Sequence, residues 1–212
     1  MNHKEFFDLQ ARDWDVSLDE RKIEGLNRIV AMARVFPGAR VLDVGTGTGI
    51  MVPLLQKRLE RHGSIVAIDL SYEMLARARE NITRDIRAHG RNMHTSGSAS
   101  VDFIQADVMH LPLVPKEFDS VICFACYPHF PDKQRAIGEM ATCLKPAGRI
   151  VIAHTMGREA LNAMHRGIGS VVANDQLPPT ECTLSMMRRT GFGELQAIEE
   201  EKFYALSGVK HT

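Results

Sequence analysis

The stretch Val41-Leu42-Asp43-Val44-Gly45-Thr46-Gly47-Thr48-Gly49 decides the fold. Its first four residues are apolar apart from one acid, the pattern of a strand buried on both faces. The next five make a tight glycine turn, and Ile50-Met51-Val52 opens a helical pattern that continues through Leu54, Leu55 and Leu59. Strand, glycine turn and helix form the first βα unit of a nucleotide-type α/β fold. Glycine lets the backbone turn sharply and lets a ligand lie against it with no Cβ in the way. The spacing is G-x-G-x-G. A dinucleotide fingerprint needs G-x-G-x-x-G, and Ile50 stands where its third glycine would be, which disfavours a nicotinamide-dependent oxidoreductase. A glycine turn without any ligand is the plainer alternative, so the rest of the chain has to decide.

Downstream, Ser64-Ile65-Val66-Ala67-Ile68-Asp69 reads as the second strand and ends in an acid one βα unit after Asp43. In α/β cofactor folds an acid at that place accepts hydrogen bonds from ribose hydroxyls. Leu70, Ser71 and Met74 open a helix over residues 72–88, with Ser71 as its N-cap. Arg77, Arg79, Arg84 and Arg87, with Arg91 beyond, form a local basic patch that reads as a solvated face. Residues 90–100 are polar, rich in Gly and Ser, and read as a mobile surface loop. Val101 to Asp107 is the third strand, with Asp107 at its carboxyl end. Phe118 to Phe124 is the fourth, a helix follows over 132–144, and Arg149 to His154 is the fifth. The last helix covers 181–190, and 194–199 with 202–206 form an antiparallel hairpin. Upstream, residues 4–14 and 19–35 have helical spacing, the second run ending at Pro37-Gly38.

Three acids, Asp43, Asp69 and Asp107, end three successive strands, and the glycine turn follows the first. Together they are far more specific than any one of them. Over roughly residues 38–154 the chain resembles the class I S-adenosylmethionine-dependent methyltransferases. Asp-x-Gly-x-Gly-x-Gly at 43–49 is similar to their motif I, and Ala67-Ile68-Asp69-Leu70-Ser71-x-x-Met74-Leu75 to their ribose-binding motif. Ala106-Asp107-Val108-x-x-Leu111-Pro112 is similar to their adenine-binding segment, and Leu144-Lys145-Pro146-x-Gly148-Arg149 to the turn before their fifth strand. The aromatic leader Phe6-Phe7-Asp8-x-x-Ala11-x-x-Trp14-Asp15 resembles the N-terminal arm of the ubiquinone/menaquinone type, which folds over cofactor and acceptor.

This resemblance implies an α/β, Rossmann-like fold. Its seven-stranded, mostly parallel sheet has the order 3-2-1-4-5-7-6, with strand 7 antiparallel and helices on both faces. It implies S-adenosyl-L-methionine as cofactor, held by Asp43, Gly45, Thr46, Gly47, Gly49, Asp69, Leu70, Met74, Ala106, Asp107, Val108 and Phe124. In the family the glycine loop passes under the methionine part. The acid at Asp107 meets the adenine amine, and the next backbone amide meets a ring nitrogen.

Ligands of open α/β sheets bind outside the carboxyl ends of the strands. The loop from Ala125 to Phe130 therefore lies where a methyl group would be delivered. His129 and His154 stand at the ends of strands four and five, and His165 on a helix over 158–166. These three are the candidate catalytic residues, because histidine is poised near neutral pH. Phe7, Trp14, Cys126, Tyr127, Arg158 and Asn162 complete the expected acceptor site, with residues 155–180 as a covering insert. Ordinary packing would account for any one of these side chains alone. Three imidazoles, or His129 with Cys126, could hold a metal, but the spacing matches no ordinary zinc pattern and none is expected. Cys123 of the C-x-x-C pair reads as a packed thiol. Tyr127-Pro128 does not give the Asn-Pro-Pro-Tyr loop of the enzymes that methylate adenine or glutamine amides.

At 212 residues the chain is expected to form one domain, with residues 1–36 as a helical arm. The 26 basic and 26 acidic residues cancel, so there is no strong electrostatic footprint for nucleic acid or an anionic membrane. No apolar run is long enough for a bilayer. The N-terminus leads into an amphipathic stretch that does not read as a signal sequence, and the four scattered cysteines suggest no disulfide framework. A cytoplasmic monomer or homodimer is expected, acting on a small-molecule methyl acceptor, with no nucleic-acid partner and no membrane insertion. Two alternatives stand beside it. One is a non-catalytic protein that binds S-adenosylmethionine or S-adenosylhomocysteine; the other is a methyltransferase with a metal- or thiol-containing acceptor site.

Overall fold

Five strands with apolar side chains on both faces need helices on both sides, and the chain supplies them between the strands. The computed structural model describes residues 1–14, 19–88 and 98–211, without the side chains of 85–88. The expectations placed on Arg87, Arg91 and most of the 90–100 loop fall outside these residues. The strands are β1 (Arg40–Val44), β2 (Ser64–Asp69), β3 (Ser100–Gln105), β4 (Phe118–Phe124), β5 (Leu144–His154), β6 (Phe192–Glu200) and β7 (Phe203–Lys210). They form one sheet in the order β3-β2-β1-β4-β5-β7-β6. β1 to β5 pair in parallel, and β7 runs antiparallel between β5 and β6.

The helices are α1 (His3–Gln10), α2 (Glu20–Met32), α3 (Val52–Leu59), α4 (Tyr72–Ala88), α5 (Lys133–Cys143), α6 (Arg158–Ile168) and α7 (Thr180–Arg189). Strand alternation sends Leu42, Val44, Val121, Ile150 and Ile152 to one face, against Ile137 and Met140 of α5 and Leu184 and Met187 of α7. It sends Val41, Ile65, Ala67, Ile122 and Val151 to the other, against Leu26, Ile29 and Val30 of α2 and Val52, Leu55 and Leu59 of α3. Each fully buried aliphatic side chain contributes about 1.5–3 kcal/mol of transfer free energy, so the two cores fix the strand edge on which the site is built.

Of the boundaries that differ from the sequence reading, three bear on the site. β5 starts at Leu144, because Phe118 pairs with Leu144 before the register shifts to Ser120 opposite Arg149. β3 ends at Gln105, so Asp107 sits two residues past the strand. α1 ends at Gln10, short of Trp14. At its other end an Asn2–Glu5 capping box fixes the start, with Glu5 N–H on Asn2 Oδ1 at 2.9 Å and Asn2 N–H on Glu5 Oε2 at 3.0 Å. Among the described residues no helix is long and apolar enough to cross a membrane.

Candidate cofactor and acceptor site

The glycine turn follows β1 at the carboxyl edge of the sheet. Gly45, Gly47 and Gly49 have φ of +66°, +55° and +83°, a region that costs an L side chain roughly 1–2 kcal/mol. Their surroundings separate them. A Cβ on Gly45 would lie 2.5 Å from the Cys126 side chain, and one on Gly49 would lie 3.1 Å from Ala78 of α4. A Cβ on Gly47 would meet nothing within 4 Å. Gly45 and Gly49 thus let protein pack against the turn, while Gly47 keeps the space above it clear.

The first two acids hold this turn. Asp43 is buried; its Oδ2 accepts from the Thr46 hydroxyl at 2.7 Å, and its Oδ1 is buried without a partner. Burial pushes its carboxyl up to about 7, against the pull of the Thr46 bond and with a further push from Asp69. Asp69 accepts from Gly47 N–H at 2.8 Å and from Ser71 N–H at 2.9 Å. Burial raises its pKa, and the backbone amides work against that rise. Ser71 caps α4, with Met74 N–H on its Oγ at 3.1 Å. Its own hydroxyl donates to Asp8 Oδ1 at 2.5 Å, which fastens α1 over the end of β2. Asp107 lies at the rim of the turn and accepts from Met109 N–H at 2.9 Å.

A cleft of about 860 Å³ opens at this edge. One side is made of Gly45, Thr46, Gly47, Asp69, Leu70, Met74, Ala106, Asp107, Val108 and Phe124. Asp43 and Gly49, expected to contact a cofactor, instead sit behind the turn and support it. The other side is made by Phe7 and Trp14 from the N-terminal segment, Cys126, His129 and Phe130 from the loop after β4, His154, and Met156, Leu161 and Met164 from the segment after β5. The ring of Phe7 meets His129 edge-on at 5.0 Å and Trp14 at 5.8 Å.

Four expected acceptor-side residues do not line this cleft. Tyr127 is fully buried among core residues, its hydroxyl toward Met186 Sδ at 3.8 Å. The other three share one face of α6, and that face does not line the cleft. Arg158 pairs with Glu199 at 2.8 Å on the surface beside β6. Buried Asn162 exchanges hydrogen bonds with Leu177, Nδ2 to the carbonyl at 3.0 Å and the amide N–H to Oδ1 at 2.8 Å. His165 Nδ1 donates to the Asp175 carbonyl at 2.5 Å. Their neighbours Leu161, which is buried, and Met164, which is 42% exposed, line the cleft instead.

The histidines differ in state. His154 is buried with Nε2 unpartnered, and burial drives its pKa down to about 3, so the ring is neutral. His129 donates from Nδ1 to Asp175 Oδ2 at 2.7 Å. Burial lowers its pKa, and the Asp175 carboxylate opposes the shift. Asp175 also accepts from His3 Nε2 at 2.8 Å. The sequence reading missed His3, Phe130, Met156, Leu161 and Met164, and His3 lies 172 residues from its partner, so no local pattern signals it. Cys126 Sγ lies 3.0 Å from the Val44 carbonyl and 3.3 Å from Cys123 Sγ. Burial, and then the neighbouring thiol, keep its pKa well above the ordinary value, so it is a neutral thiol.

The residues around the turn fit S-adenosylmethionine better than a dinucleotide. Asp69 stands where ribose hydroxyls would be held, its carboxylate already on the Gly47 and Ser71 amides, and Ile50 occupies the place of the third glycine of a dinucleotide loop. Gly47 leaves room directly above the backbone. Comparison with known proteins agrees. Residues 42–152 match the methyltransferase-domain family. The chain is 32% identical over 151 residues to the ubiquinone/menaquinone biosynthesis C-methyltransferase UbiE of Methylococcus capsulatus, covering 69% of this chain and 56% of the relative. It is 32% identical over 123 residues to a phosphatidylethanolamine N-methyltransferase of Cereibacter sphaeroides, covering 58% and 53%. The chain thus spans about half the length of these curated relatives. The crystal structure of an S-adenosylmethionine-dependent methyltransferase of Thermotoga maritima superposes with a TM-score of 0.69, at 19% identity over 98% of this chain and 99% of that one, and so shares the fold. With its motifs, sheet order and matched region in agreement, the chain belongs to the methyltransferase-domain family as a class I S-adenosylmethionine-dependent methyltransferase, similar to the ubiquinone/menaquinone type.

Proposed function

We propose that the chain transfers a methyl group from S-adenosylmethionine to a small molecule held in the apolar half of the cleft. The observation that carries this reading is the placement of Gly47, Asp69 and Asp107 on one wall of a cleft whose opposite wall is aromatic and histidine-bearing. Asp69 would hold the ribose, Asp107 and Val108 the adenine, and the Gly45–Gly47 backbone the methionine end. When bound, the cofactor supplies a methyl on a sulfonium, an electrophile ready for in-line displacement.

The protein's share is then alignment and exclusion of water. Phe7, Trp14, Phe130 and Leu161 would wall the acceptor. His154, neutral with a free Nε2, would accept a hydrogen bond from it. A pKa of about 3 makes this ring a poor base at neutral pH, so it orients the acceptor and takes no proton. His129 is held by Asp175 and would contact the acceptor, with His165 as a positioning residue that fixes Asp175 from behind. The aromatic and aliphatic side chains of Phe7, Trp14, Phe130 and Leu161 suit a small acceptor with an apolar or aromatic part, and Lys4, Lys22 and Arg28 also line the cleft.

Calorimetric titration of S-adenosylmethionine and S-adenosylhomocysteine into the protein tests the first half. Binding in the micromolar range, about −8 kcal/mol, is expected; no binding overturns the reading. Release of S-adenosylhomocysteine in the presence of a panel of small hydroxyl, thiol and amine acceptors tests the second half. Tight cofactor binding without turnover on any acceptor would favour a binding protein over an enzyme.

A further inference from the structure

Two imidazoles and a carboxylate converge where three separate parts of the chain meet on the rim of the cleft. His3 is the first residue of α1, His129 closes the 3-10 turn Tyr127–His129 after β4, and Asp175 follows the 3-10 turn Val171–Asn174. His3 Nε2 and His129 Nδ1 both reach the same oxygen, Asp175 Oδ2, at 2.8 and 2.7 Å. The three donor atoms lie within 4.8 Å of one another. We propose that His3, His129 and Asp175 form a site for a divalent first-row transition-metal ion of the zinc class, which joins the N-terminal helix to the rim of the cleft.

The chemistry of the donors supports this assignment. Imidazole nitrogen with carboxylate oxygen is a borderline set that suits zinc and its neighbours better than calcium or magnesium, which take oxygen. An ion with donors at about 2.0–2.2 Å in tetrahedral geometry sets them roughly 3.3 Å apart. The two hydrogen-bonded separations therefore need to open by about half an ångström, which three ligands on a helix start, a tight turn and a connecting segment can supply. Each imidazole would carry its proton on the other ring nitrogen.

The surroundings hold the ligands in place. His165 Nδ1 donates to the backbone carbonyl of Asp175 at 2.5 Å, and the rings of His129 and His165 lie 5.1 Å apart. The Phe7 ring meets His129 edge-on. Supporting contacts of this kind orient metal ligands. His3 and His129 both line the cleft. Three protein ligands leave a four-coordinate ion one further position, for water or for a donor atom of a molecule bound there. The site makes no use of the cofactor, so it stands or falls separately from methyl transfer.

The test is metal binding on the full chain after removal of adventitious metal with a chelator. Zn²⁺ is titrated in competition with a chromophoric chelator, and Co²⁺ is followed by its visible absorption. One Zn²⁺ per chain is expected, with a Co²⁺ spectrum of tetrahedral intensity. His3→Ala, His129→Ala and Asp175→Asn are each expected to weaken Zn²⁺ binding by roughly 100-fold or more, at least the loss known for supporting residues. His62→Ala, on an exposed turn far along the sequence, serves as the surface control and is expected to bind like the parent. Absence of binding by the parent overturns the proposal. So does parent-like binding by His3→Ala and Asp175→Asn, which would assign the ion to other surface histidines and leave the cluster as a hydrogen-bonded clasp. His3 lies on a terminal helix and Asp175→Asn preserves side-chain shape, so the result does not depend on a variant that fails to fold.

Discussion

The two walls of the cleft are built by different means. The wall of Gly45, Gly47, Asp69 and Asp107 comes from residues 43–108, and its geometry is set by strand ends and backbone amides: Asp69 binds Gly47 N–H and Ser71 N–H, and Thr46 N–H binds the Ile68 carbonyl. The opposite wall is assembled from α1, the loop after β4 and the segment after β5. It is held by side chains far apart in sequence, such as His3 and His129 on Asp175. A backbone-made wall tolerates few substitutions and preserves one ligand; a side-chain-made wall can be rebuilt for another acceptor without disturbing the sheet.

The largest effect expected from this contrast is at Asp69. Asp69→Ala removes the carboxylate proposed for the ribose and releases the Gly47 and Ser71 amides at once. Two hydrogen bonds to a charged group, at about 1.5 kcal/mol or more each, predict a loss of roughly 100-fold in S-adenosylmethionine affinity. Calorimetry reads this directly, and a loss under about tenfold would mean that Asp69 serves the turn and not the ligand.

Next comes Asn162, which belongs to the opposite wall's support. Asn162→Ala would leave the Leu177 N–H and carbonyl unpaired in a buried site. A cost of about 2–3 kcal/mol in urea unfolding is expected, with cofactor affinity unchanged. A change in cofactor affinity as large as that of Asp69→Ala would break the separation between the two walls.

The same contrast explains what could be read from the sequence. The glycine spacing at 43–49 and the acids at 43, 69 and 107 are local patterns tied to strand ends. Through the family they resemble they imply the sheet order that the structure has, and all but two of the cofactor residues that the resemblance implies lie on the cleft wall. Asp43 and Gly49 lie behind the turn, because spacing reports that a residue belongs to a motif without saying which side of the backbone it serves. On the other wall, helical spacing grouped Arg158, Asn162 and His165 correctly on one face of α6. Their direction depended on Leu177, Asp175 and Glu199, which arrive from later in the chain. Tyr127 was misplaced for a similar reason: a loop residue beside a site can turn its ring into the core.

Behind one wall Asp43, and in the other His154, are buried groups whose charged form burial disfavours, with opposite consequences for pH. Asp43 has a folded pKa of about 7, above its unfolded value of 3.8. Its contribution to stability is full below about pH 4 and is lost as pH rises through 7. His154 has a folded pKa of about 3, below 6.5. Its contribution is full above about pH 6.5 and is lost as pH falls toward 3. Between pH 4 and 6.5 the two slopes oppose each other, each limited to about 1.4 kcal/mol per pH unit. Asp43→Asn should therefore leave the His154 slope alone, so that stability rises with pH between 5 and 6.5 more steeply than in the parent. Urea unfolding at three pH values checks it; an unchanged slope would mean that Asp43 is ionised in the fold.

The smallest effect is expected at Arg158, which the sequence places beside the acceptor and the structure places on the surface. Its guanidinium pairs with Glu199 at 2.8 Å and with Glu159, and both carboxylates are open to solvent. Exposed pairs of this kind contribute about 0–1 kcal/mol. Leu161 and Met164 of the same helix line the cleft, and Arg158 does not. Arg158→Ala should change stability by about 0.5 kcal/mol or less, and leave both cofactor affinity and the KM for any acceptor within about twofold of the parent. A larger rise in KM, with kcat and stability unchanged, would show that α6 turns during acceptor binding and brings its polar face to the cleft. In that case the side-chain-built wall would have two arrangements, whereas the backbone-built wall would have one.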